Sequence, residues 1–179
     1  ASHCEVMGGI LADIHRADFS MVQVERDLLG EMPVTDWRFY LQQGKESGAV
    51  WVDLMAEIID QLYDWNLRAD KAAKRLAFHT VICHGDLDSK NVLWRGDDPI
   101  LIDWEAAGYV NPVQNLVETA MHWSQDKTEH LDKERFIAFL MGYTSRSGTI
   151  QADWSTVLDQ GTAGMLGWLE YNLKRSLWI

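Results

Sequence analysis

The stretch VICHGDLDSKNVLW, residues 81–94, sets His84, Asp86, Asp88, Lys90 and Asn91 between two short apolar runs, and Asp103 follows in PILIDW. Three readings fit so dense a polar segment: a metal site, a catalytic loop, or a charged turn between strands. Hydroxyl-to-phosphoryl chemistry needs a carboxylate that accepts or orients the proton of the attacking hydroxyl. It also needs hard oxygen ligands for magnesium, such as an Asp carboxylate and an Asn amide oxygen. An Asp in a loop, an Asn at the start of the next strand and an Asp after the strand beyond can supply all of these. Such ligands belong on rigid β-structure, because magnesium demands near-octahedral geometry.

The elements that must position them are legible in outline. TVIC, NVLW and PILIDW read as three short strands, and RGDDP is a strong turn signal between the last two. The remainder follows helical periodicity. Residues 5–16 carry a stripe of Val6, Ile10, Leu11 and Ile14. Residues 17–34 are mixed, read as loop or short helix. A helix is expected over 35–43, a break at GKESG over 44–48, and a helix over 49–63 with Val50, Leu54, Ile58 and Leu62 at four-residue spacing on an apolar face that Met55 and Ile59 broaden. Further helices are expected over 64–76, 112–123, 132–145 and 154–178. The predicted fold is α+β and mainly helical, with one small β-insert carrying the polar loop.

Bulk composition narrows the function classes. The chain has 179 residues and a formal net charge of -11, with 27 acidic residues against 16 Lys plus Arg. A polyanionic nucleic acid is therefore an unfavourable partner. A cationic small molecule would be attracted, although acidic surfaces also serve solubility. No apolar run reaches the length of a membrane span, and the N-terminus does not read as a secretory signal. Two cysteines far apart in sequence, Cys4 and Cys83, indicate a reduced, cytoplasmic protein rather than a disulfide scaffold.

The His, the Asp two residues later, the Leu, the Asn five after the Asp and a later Asp behind an apolar strand follow the order of the protein-kinase motifs H-R-D-L-x-x-x-N and D-F-G. With Gly85 in place of the Arg and DWE in place of DFG, CHGDLDSKNVLW and ILIDWEAAGYVNP resemble the aminoglycoside phosphotransferase and choline kinase superfamily of small-molecule kinases. GGILADIHR, near the start, also resembles the helix that opens the C-terminal lobe in that superfamily. The resemblance implies the C-terminal lobe of a protein-kinase-like fold over residues 1–179. It implies Asp86 as catalytic base, His84 as support for the loop, and Asn91 and Asp103 as the ligands of magnesium and so of its nucleotide, ATP or GTP. The acceptor would be a small hydroxylated molecule, with an aminoglycoside or amino alcohol favoured by the acidic charge. Ser89 and Lys90 sit where the superfamily varies and receive no role. Nothing upstream of residue 80 reads as a glycine-rich loop on an antiparallel sheet. The N-terminal lobe is thus expected to be absent from this chain, which alone should bind magnesium nucleotide weakly and catalyse little.

Other readings stay open beside this one. A lobe that binds a ligand without catalysis, or a metal-dependent phosphohydrolase, could use the same Asp and Asn side chains, although the latter usually adds histidines for a second metal. His79, Cys83 and His84 have poor spacing for zinc and lack a second Cys/His pair. Asp53, Glu57, Asp60 and Asp64 read as a solvated helix face in preference to a docking face for a polycation. Most of the nine tryptophans, Trp37, Trp51 and Trp168 among them, should pack the core, whereas Trp104 should lie beside the metal site. Glu105 could hold a substrate amine or anchor the loop.

Overall fold

Apolar periodicity and capping chemistry together decide the helices. The structure, a computed structural model, describes residues 3–19, 30, 33–126, 128 and 130–179. It contains α1 (His3–Arg16), α2 (Trp37–Ser47), α3 (Val52–Leu76), α4 (Pro112–Ser124), α5 (Lys133–Ser147) and α6 (Trp154–Leu177). Strands β1 (Val81–Cys83), β2 (Val92–Arg95), β3 (Asp98–Leu101) and β4 (Gly108–Val110) lie between α3 and α4. The chain divides into two units, Ala1–Leu29 with Ala77–Ala152, and Gly30–Leu76 with Asp153–Ile179. Most of the 17–34 segment lies outside the described residues. No helix among the described residues is long and apolar enough to cross a membrane.

The first unit carries the polar loop. Its core gathers Met7, Leu11, Leu116, Ala120 and Phe139 with Leu87 and Val92 from the loop region. Helices α1 and α5 pack backbone to backbone. A Cβ on Gly8 would stand 2.0 Å from the Phe139 carbonyl oxygen, and one on Gly142 would stand 1.9 Å from that of Glu5. Helix α4 starts on Asn111, whose Oδ1 accepts from the N–H groups of Val113 and Gln114, with Pro112 at the first helical position. Asn111 Nδ2 also donates to the His79 carbonyl at 2.9 Å, tying this helix start to the approach of β1.

The β-structure is two separate pairs. Strand β1 pairs antiparallel with β4, Val81 opposite Val110, and β2 pairs antiparallel with β3, Val92 opposite Leu101. The expected small β-insert is present over residues 81–110 as these two pairs, and β4 is an element the sequence did not reveal. The β2–β3 hairpin closes through Gly96 and Asp97, with Gly96 at φ 63°, where a glycine meets the turn without steric cost.

In the second unit α2, α3 and α6 enclose Trp37, Tyr40, Met55, Leu62, Leu166 and Leu173. The expected break over 44–48 is instead the last turn of α2. Gly44 lies within α2, where its missing side chain leaves room for the Trp51 ring, 2.4 Å from where a Cβ would be, and the helix stops at Gly48 with φ 68°. Helix α3 runs unbroken through Asp64, since no Gly, Pro or cap interrupts it. Val50 and Leu54 are exposed, and Met55, Ile58, Ile59 and Leu62 form the inner face. Trp37 is buried, but Trp168 is 67% exposed and stacks on Tyr171 at 5.4 Å. Asp53, Glu57, Asp60 and Asp64 are exposed, as expected of a solvated face.

Candidate active site

The loop between β1 and β2 begins at His84, which is 1% exposed. Its Nε2 lies 2.9 Å from the Ile102 carbonyl oxygen, which can only accept, so Nε2 carries the proton. Nδ1 is then free to accept from the Asp86 backbone N–H, at 3.4 Å. His84 therefore links the loop to the segment after β3. The Trp104 ring covers it at 4.4 Å between centroids.

Gly85 allows the sharp turn that follows. Its φ is 83°, and a Cβ there would stand 1.9 Å from the Ala106 carbonyl oxygen. Leu87 then enters the core, and the Trp123 indole N–H donates to the Leu87 carbonyl at 2.8 Å. The exposed carboxyl of Asp86 is thus carried by a backbone held from three sides: His84, Leu87 and Asn91.

Asn91 provides the most direct of these ties. Its Nδ2 donates to the Asp86 carbonyl at 2.8 Å and to Asp86 Oδ2 at 3.0 Å. The short 3-10 turn over Ser89–Asn91, capped by Asp88, brings Asn91 back to face Asp86. With the amide nitrogen so engaged, Oδ1 is the acceptor atom of the Asn91 side chain. The same turn places Lys90 Nζ 2.9 Å from Asp86 Oδ2. Lys90, followed by the Asn91 amide, holds the Asp86 carboxyl below the ordinary carboxylate range.

Asp103 is fixed through its neighbour. Ile102 donates its N–H to the Asn91 carbonyl at 3.0 Å while its own carbonyl receives His84. The hairpin register therefore sets Asn91 and Asp103 at the same end of the β2–β3 pair. Asp103 is exposed and holds φ 64°, the left-handed region that non-glycine residues enter at a cost of about 1–3 kcal/mol.

Among the described residues no group of three or more His, Cys, Asp or Glu side chains is arranged to hold a metal ion. Magnesium keeps several waters and takes one or two protein oxygens plus phosphate oxygens. The Asn91 amide oxygen and the Asp103 carboxylate are hard donors of the right kind. Zinc has no such set. Both His84 nitrogens are engaged, and burial pushes the Cys83 thiol up to about 12.

Sequence alone left Lys90 without a role. Its four-residue offset from Asp86 was visible, but the 3-10 turn that makes the offset a contact was not. Trp104 lies against His84, and Glu105 is exposed.

Comparison with known proteins adds three findings. A family model described as the phosphotransferase enzyme family matches residues 1–149. No curated protein sequence matches the chain. Among solved structures, spectinomycin phosphotransferase in complex with ADP and spectinomycin is 17% identical, with TM-score 0.58, covering 91% of this chain and 51% of its own. The AMP-bound complex of spectinomycin phosphotransferase is 16% identical, with TM-score 0.59, covering 96% and 57%. A choline kinase from Cryptosporidium parvum Iowa II is 16% identical at TM-score 0.49, over 98% and 57%. The chain spans about half the length of these structures. The likeness to the spectinomycin enzyme is one of fold: a kinase-like phosphotransferase lobe.

Proposed function

This chain belongs to the phosphotransferase enzyme family, and from that premise we propose that it is the catalytic and substrate-binding lobe of a small-molecule kinase. The reaction moves the γ-phosphoryl group of a nucleoside triphosphate onto a substrate hydroxyl. The observation that carries this reading is the Asp86 carboxylate, exposed at a loop whose every neighbour is tied down, with Asn91 and Lys90 both on Oδ2. Oδ1 is the oxygen left to meet a hydroxyl. It lowers the barrier by accepting the hydroxyl proton as the new O–P bond forms and the bond to the departing nucleoside diphosphate breaks.

Asn91 Oδ1 and the Asp103 carboxylate would hold magnesium, which when bound draws charge from the phosphate oxygens. The rest of the machinery is positional. His84 and Asn91 grip Ile102 from either side of its peptide groups, so Asp103 and Asp86 keep a fixed relation. The nucleotide is ATP in this reading, in keeping with the ADP and AMP of the similarly folded structures. The formal charge of -11 favours a cationic acceptor such as an aminoglycoside or amino alcohol. Both cysteines are buried and free, which supports a reducing, cytoplasmic setting.

The phosphates would be covered by a second lobe outside these 179 residues, in keeping with the share of the matched structures that the chain spans. In isolation this lobe should bind magnesium nucleotide weakly and turn over little. The test is a panel of hydroxylated acceptors, amino alcohols and aminoglycosides included, assayed with the complete gene product for ADP formation. Acceptor-dependent ADP supports the reading. Phosphate release that is independent of every acceptor would sink it in favour of a hydrolase.

A further inference from the structure

Lys90 is unaccounted for by the scheme above. Its side chain is 63% exposed and that of Asp86 43%, so their 2.9 Å ion pair contributes little to stability. Its charge environment is more informative. Asp86 first, then Asp88 and Asp103, raise the pKa of the ammonium. The ammonium stands on Asp86 Oδ2, the oxygen that Asn91 Nδ2 also meets, and so lies beside a carboxylate and an amide that the proposed reaction uses.

Such a charge acts with opposite sign on the two species the site must tell apart. A bare divalent cation at the adjoining Asn91 is repelled by the ammonium. A magnesium nucleotide carries net negative charge and is attracted. The flexible four-carbon stem lets an exposed ammonium leave one oxygen partner for another within a few ångströms. We infer that Lys90 is the resident counter-cation of this site, neutralising Asp86 and its neighbours in the empty state, disfavouring bare metal, and transferring its ammonium to a phosphate oxygen when the metal nucleotide arrives. This role rests on the proposed phosphotransferase reading. It requires Asp86 Oδ2 to lose one of its two donors on loading while Asn91 keeps the other.

The test uses Mn2+ as a paramagnetic probe, alone and with ADP, on the complete gene product as wild type, Lys90→Met and Lys90→Arg. Lys90→Met keeps the length of the side chain and removes its charge. It should bind Mn2+ alone about fivefold tighter and Mn2+ with ADP about fivefold more weakly, the scale of one screened unit charge at contact distance. Lys90→Arg should stay near wild type in both. Affinities that move in the same direction, as a merely disturbed loop would give, or that do not move, overturn the inference. Failure of the phosphotransferase reading shows separately, as absence of acceptor-dependent ADP formation by the wild type. The opposite-sign shift reports on Lys90 in either case.

Discussion

One amide group, Asn91 Nδ2, donates both to the Asp86 backbone carbonyl at 2.8 Å and to Asp86 Oδ2 at 3.0 Å. It therefore fixes the position of the residue and the rotation of its carboxylate together. Asn91→Ala removes both ties and leaves the fold's other anchors on the loop, His84 and Trp123, in place. Since misplacement of a reacting group by about 1 Å costs on the order of 100-fold in rate, kcat should fall by at least tenfold. The loss of stability should stay near 1 kcal/mol, because Asp86 is half exposed and its oxygens can turn to water. Steady-state kinetics beside urea unfolding measures both. An unchanged kcat would show that Asn91 does not orient Asp86.

Gly85→Ala tests the backbone beneath the site. At φ 83° and with the Ala106 carbonyl 1.9 Å from the new Cβ, either the β1–β2 loop or the turn after Asp103 must move. Both carry proposed site residues, so activity and stability should fall together, the latter by about 2 kcal/mol. A thermal unfolding midpoint equal to wild type would mean that the loop accommodates a side chain there.

The loop and its neighbours were legible in sequence because their signals are local. His84, Asp86 and Asn91 are spaced by the turn that carries them, and RGDDP marks the hairpin that returns Asp103. Helices α1, α4, α5 and α6 follow from periodicity, and the structure adds the caps Asn111, Asp132 and Asp153. What sequence did not reveal depends on distant partners. Strand β4 is three residues paired with the distant β1, and the close packing of Trp51 on Gly44 joins residues outside one local pattern. Likewise the Trp168 position inside an apolar run said nothing of which face of α6 would be covered. Lys90 was unreadable for a related reason: its contact with Asp86 needs a 3-10 turn that Asp88 caps through its own side chain.

Acidity is the next expectation. Lys90 and Asn91 hold the Asp86 carboxyl below the ordinary carboxylate range. A depressed carboxylate keeps its charge, and the stabilising contacts that depend on it, above its unfolded pKa and loses them as pH falls through the folded value. The acid limb of kcat/KM for the free enzyme should therefore lie below pH 4, with no loss assignable to this group between pH 7 and 5. A pH–rate profile across that range is the check. An acid limb near pH 6 that disappears on removing Asp86 would contradict it.

The central claim is that Asp86 takes the acceptor's proton while other residues hold the nucleotide. Asp86→Asn keeps the shape of the side chain and removes its basicity. Measured on the complete gene product, it should lower acceptor-dependent ADP formation by about 100- to 10,000-fold, the range of a lost general base, with affinity for magnesium nucleotide within a few-fold of wild type. Turnover by Asp86→Asn at the wild-type rate would contradict the account.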